Sequence, residues 1–284
     1  MKIYCDRNNF RFCSELLILG GLLDHLPKEA PENYNPKGKS RFHGVIETCN
    51  KLFEYVDDVD DADIVVVSYK FDGTIPDTDK PIWCFFNDDN PRSFHVPDNV
   101  TLFRTSMVKS INNPSREKAM PAFSPDYFDG TFMGDPPLTI GFCGHINNGR
   151  KPYLETLLRS DIPTNFIIRK GFWASGVDRQ IARKEYFDNI SQNIFNFCYR
   201  GAGNFSYRFY ETLMMGKIPV LVDTDCVFPI EIKGLCVYCK ENDDIIKKIK
   251  EFYETNNLLE IQKNNRRVWE NYLSPCGWLK SLKL

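Results

Sequence analysis

The chain lacks an excess of either charge, a long apolar run and a cysteine framework, and each absence removes a class of protein. Its 36 Lys and Arg face 38 Asp and Glu, a net charge of −2. Binding to a phosphate backbone draws on concentrated Lys and Arg, so this balance argues against a dedicated nucleic-acid binder. The longest greasy stretch near the start, residues 16–23, contains two glycines and falls far short of the ~20 residues of a bilayer crossing. No charged-then-apolar leader precedes the first strand-like run, so the sequence predicts a soluble chain that keeps its own N-terminus. No repeat of 20–50 residues is visible, which sets solenoids and propellers aside.

Ten cysteines are present, and only Cys236 and Cys239 lie close together, with no second pair at zinc-ribbon spacing. Cys5, Cys84, Cys143 and Cys198 end apolar runs, where a thiol packs as a small hydrophobe. The expectation is buried free thiols in a reducing, cytoplasmic compartment. What the chain has in quantity is aromatic rings, 22 Phe, 13 Tyr and 4 Trp in 284 residues. These suit cores and stacking platforms.

Length suggests two domains. Short apolar runs at 2–5, 64–67, 82–86 and 100–103 alternate with helix-spaced segments at 12–23 and 42–56, a pattern for a parallel sheet. The acidic stretch 57–63 is expected to be a solvated loop. Five prolines in 113–137 predict an interdomain linker. A second series follows, with strands at 138–143, 165–168, 194–198, 218–222 and 235–238. Helices are expected at 151–159, 178–191, 205–215 and, continuously, 245–272. The predicted organisation is α/β: an N-terminal Rossmann-like domain (1–125), a C-terminal one (126–268) across a cleft, and a final segment (269–284).

The segment 197–223 carries most of the chemistry. A strand ends at Cys198, Gly201 and Gly203 permit a tight turn, and Asn204 is the expected N-cap of the next helix. Amide groups at such a helix start suit a phosphate. Arg208 and Glu211, three apart, share a helix face. The pair can serve a diphosphate and a ribose respectively, or form a plain salt bridge, and spacing does not decide between these.

Two other motifs overlap. Gly201-Ala-Gly203-Asn-Phe-Ser206, with Asp223 following Gly203 by 20 residues, approximates a dinucleotide fingerprint and hence an NAD-dependent oxidoreductase. Its third glycine is a serine, and the unit comes third in its series. Asp223-Thr-Asp225 is an Asp-x-Asp of the kind that holds a divalent metal against a diphosphate, the mark of a metal-dependent transferase. A module that binds a sugar without turnover is a third class.

Tyr199-Arg-Gly-Ala-Gly203, Ser206, Arg208, Glu211, Gly216 and Ile218-Pro-Val-Leu-Val-Asp223 together resemble the donor-site signature of exostosin-type glycosyltransferases. The Gly-rich turn at 141–150 matches loosely and the N-terminal half in pattern only. The resemblance implies a GT-B fold whose final helix crosses back onto the N-terminal domain. It further implies inverting, metal-independent transfer from a UDP-sugar to a glycan hydroxyl, with no cofactor. Many relatives are membrane-anchored secretory proteins; a soluble microbial or viral version fits this chain. On that reading Arg208, Arg150, Arg200, Gly203, Asn204 and Ser206 hold the diphosphate side of the donor and Glu211 the ribose. Phe172 or Trp173 would face the base. A general base is expected after an N-terminal strand, at Asp72 or Asp88, with Asp89, His43 and His95 as further candidates.

Overall fold

In the computed structural model the described residues are 1–5, 53–68, 77–86, 95–124, 127–171 and 176–282. They form two α/β units, each on an all-parallel sheet. The first sheet contains β1 (Lys2–Cys5), β2 (Glu54–Tyr55), β3 (Ile64–Ser68), β4 (Ile82–Phe86), β5 (Val100–Arg104) and β6 (Glu117–Ala119), in the order β2-β1-β3-β4-β5-β6. The second contains β7 (Ile140–His145), β8 (Thr164–Arg169), β9 (Phe195–Cys198), β10 (Ile218–Val222) and β11 (Val237–Cys239), in the order β11-β10-β9-β7-β8. Runs such as Ile-Val-Val-Val and Ile-Pro-Val-Leu-Val read as continuous apolar strands because both sheet faces are covered.

In the first unit, alternation sends Ile3, Ile64, Val66, Phe85 and Phe103 to one face. Val65, Val67, Cys84 and Leu102 go to the other. In the second unit, helices α1 (Lys151–Leu158) and α4 (Ile245–Thr255) cover the face carrying Phe195, Phe197 and Val220. Helices α2 (Arg179–Gln192) and α3 (Tyr207–Met214) cover the face carrying Cys198 and Leu221. Asp178 caps α2 by accepting from the amides of Gln180 and Ile181. Gly216, at φ +68°, ends α3 in a conformation that an L side chain resists.

After α5 (Leu258–Val268) comes a π-helical turn, Trp269–Leu273, and then α6 (Pro275–Ser281). Helix α6 leaves its own unit. Trp278 lies edge-on to Phe85, Phe103 and Phe123, with centroids 5.3–5.8 Å away, and is buried in the first unit's core. Two Rossmann-like units with a returning C-terminal helix are the GT-B layout expected from the sequence.

Four local expectations need correction. The segment at 42–56 does not end as a helix, because Glu54–Tyr55 pairs with β1 as an edge strand. The linker begins later than 113, because Glu117–Ala119 pairs with β5, drawn in by the buried Glu117–Arg104 ion pair at 3.3 Å. The stretch 245–272 is not one helix. Asn256 turns extended (φ −120°, ψ 150°) and Asn257 caps a new helix by accepting from the Glu260 amide. Finally, Cys5, Cys84, Cys143, Cys198, Cys226, Cys236 and Cys239 are buried free thiols, but Cys276 is disulfide-bonded, so the all-thiol expectation fails there. Among the described residues no helix is long and apolar enough to cross a membrane.

Candidate functional site

The second sheet changes direction between β7 and β9, since β8 lies outside β7 and β10 outside β9. In open parallel sheets such a switch point leaves a crevice at the carboxyl ends of the strands. Here the crevice widens because β7 and β9 pair only at Ile140↔Phe195 and Gly141↔Asn196 before they part. Beyond that point the carbonyls between the two strands need other donors.

Two arginines supply them. Arg208, 7% exposed, donates from Nη1 to the Phe197 carbonyl (3.4 Å) and from Nη2 to the Cys143 carbonyl. Its guanidinium lies 4.4 Å from the centroid of the Phe142 ring. Arg150, also 7% exposed, donates to the carbonyls of His145 (2.9 Å), Tyr199 (3.3 Å) and Arg200 (3.0 Å). Burial, and then the like charge of Arg208, lower the Arg150 guanidinium from its ordinary value to about 10. Among the described residues neither arginine has a carboxylate partner, and the Nε of each is buried without a hydrogen bond. The sheet therefore holds two guanidinium charges at its switch point, set against backbone carbonyls and, for Arg208, the face of the Phe142 ring.

Above them lies an open cleft of about 580 Å³. The loop after β7 contributes Asn147, Asn148 and Gly149; the loop after β9 contributes Tyr199, Arg200 and Gly201. Asp223 and Thr224 follow β10, Glu241 follows β11, and Tyr153 rises from α1. Tyr153 and Tyr199 sit 5.7 Å apart with planes tilted by 36°, giving an aromatic wall. Gly149 is required beside it, because a Cβ there would stand 2.8 Å from the Tyr199 ring. Arg200 is exposed and forms no ion pair among the described residues.

Of the residues singled out in the sequence, the structure brings Arg200 and Gly201 onto the cleft wall and sets Arg150 and Arg208 behind it. Glu211 goes elsewhere. Its buried carboxylate accepts from Ser124 Oγ (2.8 Å), Arg183 Nη2 (3.2 Å) and the Tyr186 hydroxyl. Burial, with Glu211 second, pushes the Tyr186 phenol well up. Arg208 and Glu211 thus share a helix without pairing, so the plain salt bridge is not formed. Gly203 and Asn204 are buried at the junction with the first unit. There the Asn204 amide donates to Ser106 Oγ (2.7 Å) and Asn204 Nδ2 to the Met107 carbonyl (3.0 Å). Ser206, not Asn204, is the N-cap of α3, and its side chain makes no capping bond.

Among the candidate bases, Asp72, Asp88, Asp89 and His43 lie outside the described residues, as do Phe172 and Trp173; His95 is exposed. Asp223 and Asp225 have different partners. Asp223 Oδ1 accepts from the Asp225 amide (2.8 Å), while Asp225 Oδ2 accepts from the amide and hydroxyl of Ser110. Among the described residues no group of three or more His, Cys, Asp or Glu is placed to hold a metal. Sequence reasoning missed Tyr153, Thr224 and Glu241 as cleft residues. The signal for Thr224 and Glu241 was position just past a strand end.

No protein-family model and no curated protein matches the chain. Among solved structures, the chain is similar to TarM at 10% identity and a TM-score of 0.45, with 77% of this chain and 54% of that one covered. It is similar to an alpha1,3-fucosyltransferase at 10% identity and a TM-score of 0.43, covering 93% and 82%. A structure of alpha1,3-fucosyltransferase with GDP matches at 12% identity and a TM-score of 0.41, again covering 93% and 82%. The chain thus spans about half the length of TarM and most of the two fucosyltransferase chains.

Proposed function

We propose that the chain is a glycosyltransferase that binds a nucleoside diphosphate sugar in the C-terminal cleft and passes the sugar to a glycan hydroxyl. One observation carries this reading: the 580 Å³ cleft opens at the switch point, with the Tyr153–Tyr199 pair and Arg200, which has no ion pair among the described residues, on its wall. A stacked base, a ribose and a diphosphate require those features in that order. Following the exostosin-like signature, the donor is a UDP-sugar and transfer proceeds with inversion and without a metal.

Departure of the sugar leaves negative charge on the diphosphate, and fixed positive charge in a partly dry site stabilises that change. Arg200 contacts the phosphates. Arg150 and Arg208 act from behind, holding the strand ends apart at fixed width while adding their field to the cleft. Glu211 anchors α3 to the linker through Ser124. The general base comes from the N-terminal unit, with Asp72 and Asp88 as the carboxylates to test; it accepts the proton of the acceptor hydroxyl as that oxygen attacks the sugar.

The dehydrogenase alternative places a pyrophosphate on the 201–206 turn, yet Asn204 in that turn is fully buried against Ser106 and Met107. Calorimetric titration with UDP, GDP and NADH, with and without EDTA, tests the proposal. Binding of a nucleoside diphosphate with EDTA present is expected, and Arg200→Ala is expected to weaken it about tenfold, near 1.4 kcal/mol, without changing thermal stability. Binding of NADH alone, or loss of all binding in EDTA, refutes the reading.

A further inference from the structure

Residues 105–110, after β5, are stitched to the segment of the second unit that follows β10. Val108 forms an antiparallel bridge with Cys226. The Lys109 amide donates to the Asp225 carbonyl (3.0 Å), and Ser110 donates to Asp225 Oδ2 from its amide (3.2 Å) and its hydroxyl (2.9 Å). Asp225 adopts φ +59°, a left-handed conformation that aspartate tolerates, and so turns its carboxylate toward Ser110. The stitch therefore fixes the backbone of Lys109 beside the strand end whose previous residues, Asp223 and Thr224, form cleft wall.

The Lys109 side chain is exposed and has no ion-pair partner among the described residues. Its charge acts on Asp223. Burial raises the Asp223 carboxyl, but the Tyr238 hydroxyl, the Asp225 amide and the charges of Lys109 and Lys240 outweigh it, so that Asp223 lies below the ordinary carboxyl value.

We infer that Lys109, whose backbone is held by Asp225 two residues from the cleft-wall residue Asp223, is the N-terminal unit's cation for the donor diphosphate. This rests on the cleft being the donor site and adds a residue from the opposite unit to it. An ammonium there binds phosphoryl oxygens as a point charge on a flexible stem, while Arg200 offers a fork from the loop after β9. The stitch then has a purpose: it holds the opposing units at the spacing that lets one diphosphate touch both. A nucleoside without phosphates gains nothing from Lys109.

The test uses the full chain with Lys109→Met and Lys109→Arg, titrated with UDP, GDP and inorganic pyrophosphate, and with uridine and guanosine as uncharged controls. Lys109→Met is expected to lose about tenfold in affinity for each diphosphate the unaltered chain binds, with nucleoside binding and melting temperature unchanged. Lys109→Arg is expected to recover most of that loss. Equal diphosphate affinity in Lys109→Met and the unaltered chain overturns the inference and leaves the donor reading standing; equal losses for nucleoside and diphosphate also overturn it. If the unaltered chain binds no diphosphate, both fall together.

Discussion

Lys217 stands one residue before β10, is fully buried, and its Nζ has no hydrogen-bond partner among the described residues. Burial alone lowers its ammonium from the model-compound value of 10.5 to about 8. Each unit of difference between folded and unfolded chains corresponds to ~1.4 kcal/mol, so the drop from 10.5 to about 8 sets an upper bound near ~3.4 kcal/mol. Relaxation and water penetration reduce that to about 1–3 kcal/mol. Below about pH 8 both states hold the proton and the folded chain bears the whole penalty. Between about 8 and 10.5 the unfolded chain binds the proton and the folded chain does not, so stability rises with pH across this window. Lys217→Met keeps the shape and removes the charge. It is expected to raise the melting temperature at pH 7 by about 2–12 °C, taking ~2–4 °C per kcal/mol for a chain of this size class. The gain should shrink steadily toward pH 10.5. Thermal melts of both proteins from pH 6.5 to 10.5 measure the difference, in which titrations common to both cancel. A variant less stable at pH 7, or a gain independent of pH, shows that the ammonium has a partner in solution and refutes the reasoning.

Two further substitutions probe the architecture. Trp278→Ala empties a buried aromatic site that joins α6 to the first unit and should cost about 3–5 kcal/mol; a small change in a denaturant melt means that the helix is not docked there. Arg208→Met removes the donors to the Cys143 and Phe197 carbonyls, so a melting-point loss equivalent to about 1–3 kcal/mol should accompany weaker UDP binding. Weaker binding with unchanged stability would mean instead that Arg208 reaches the donor directly.

Legibility followed burial. Strands β3, β4, β5, β9 and β10 announce themselves because both faces are covered and their composition is almost wholly apolar. Strands β2 and β6 do not. Glu54–Tyr55 and Glu117–Ala119 are edge segments of two and three residues whose place depends on partners distant in sequence. For β6 that partner is Arg104, which has to be inside the protein before Glu117 can follow it. The break at Asn256-Asn257 had a local signal, a capping asparagine followed three residues later by Glu260, but continuous amphipathic spacing on either side masked it.

The site divides along the same line. Where a side chain stands on a loop just past a strand end, as Arg200 does, position suffices to place it on the cleft wall. Where it depends on how two strands separate, they do not. The i,i+3 spacing of Arg208 and Glu211 says that they share a helix face; it says nothing of the gap between β7 and β9, which exists only because their pairing stops at Gly141 and Asn196. That gap exposes carbonyls that need donors, and a guanidinium with five N–H groups bridges two strand ends where an ammonium would reach only one. Once Arg208 is committed to Cys143 and Phe197, Glu211 is released to Ser124, Arg183 and Tyr186, and the helix becomes a brace between cleft and linker. A motif recognised by its side chains can thus act through the backbone it holds open.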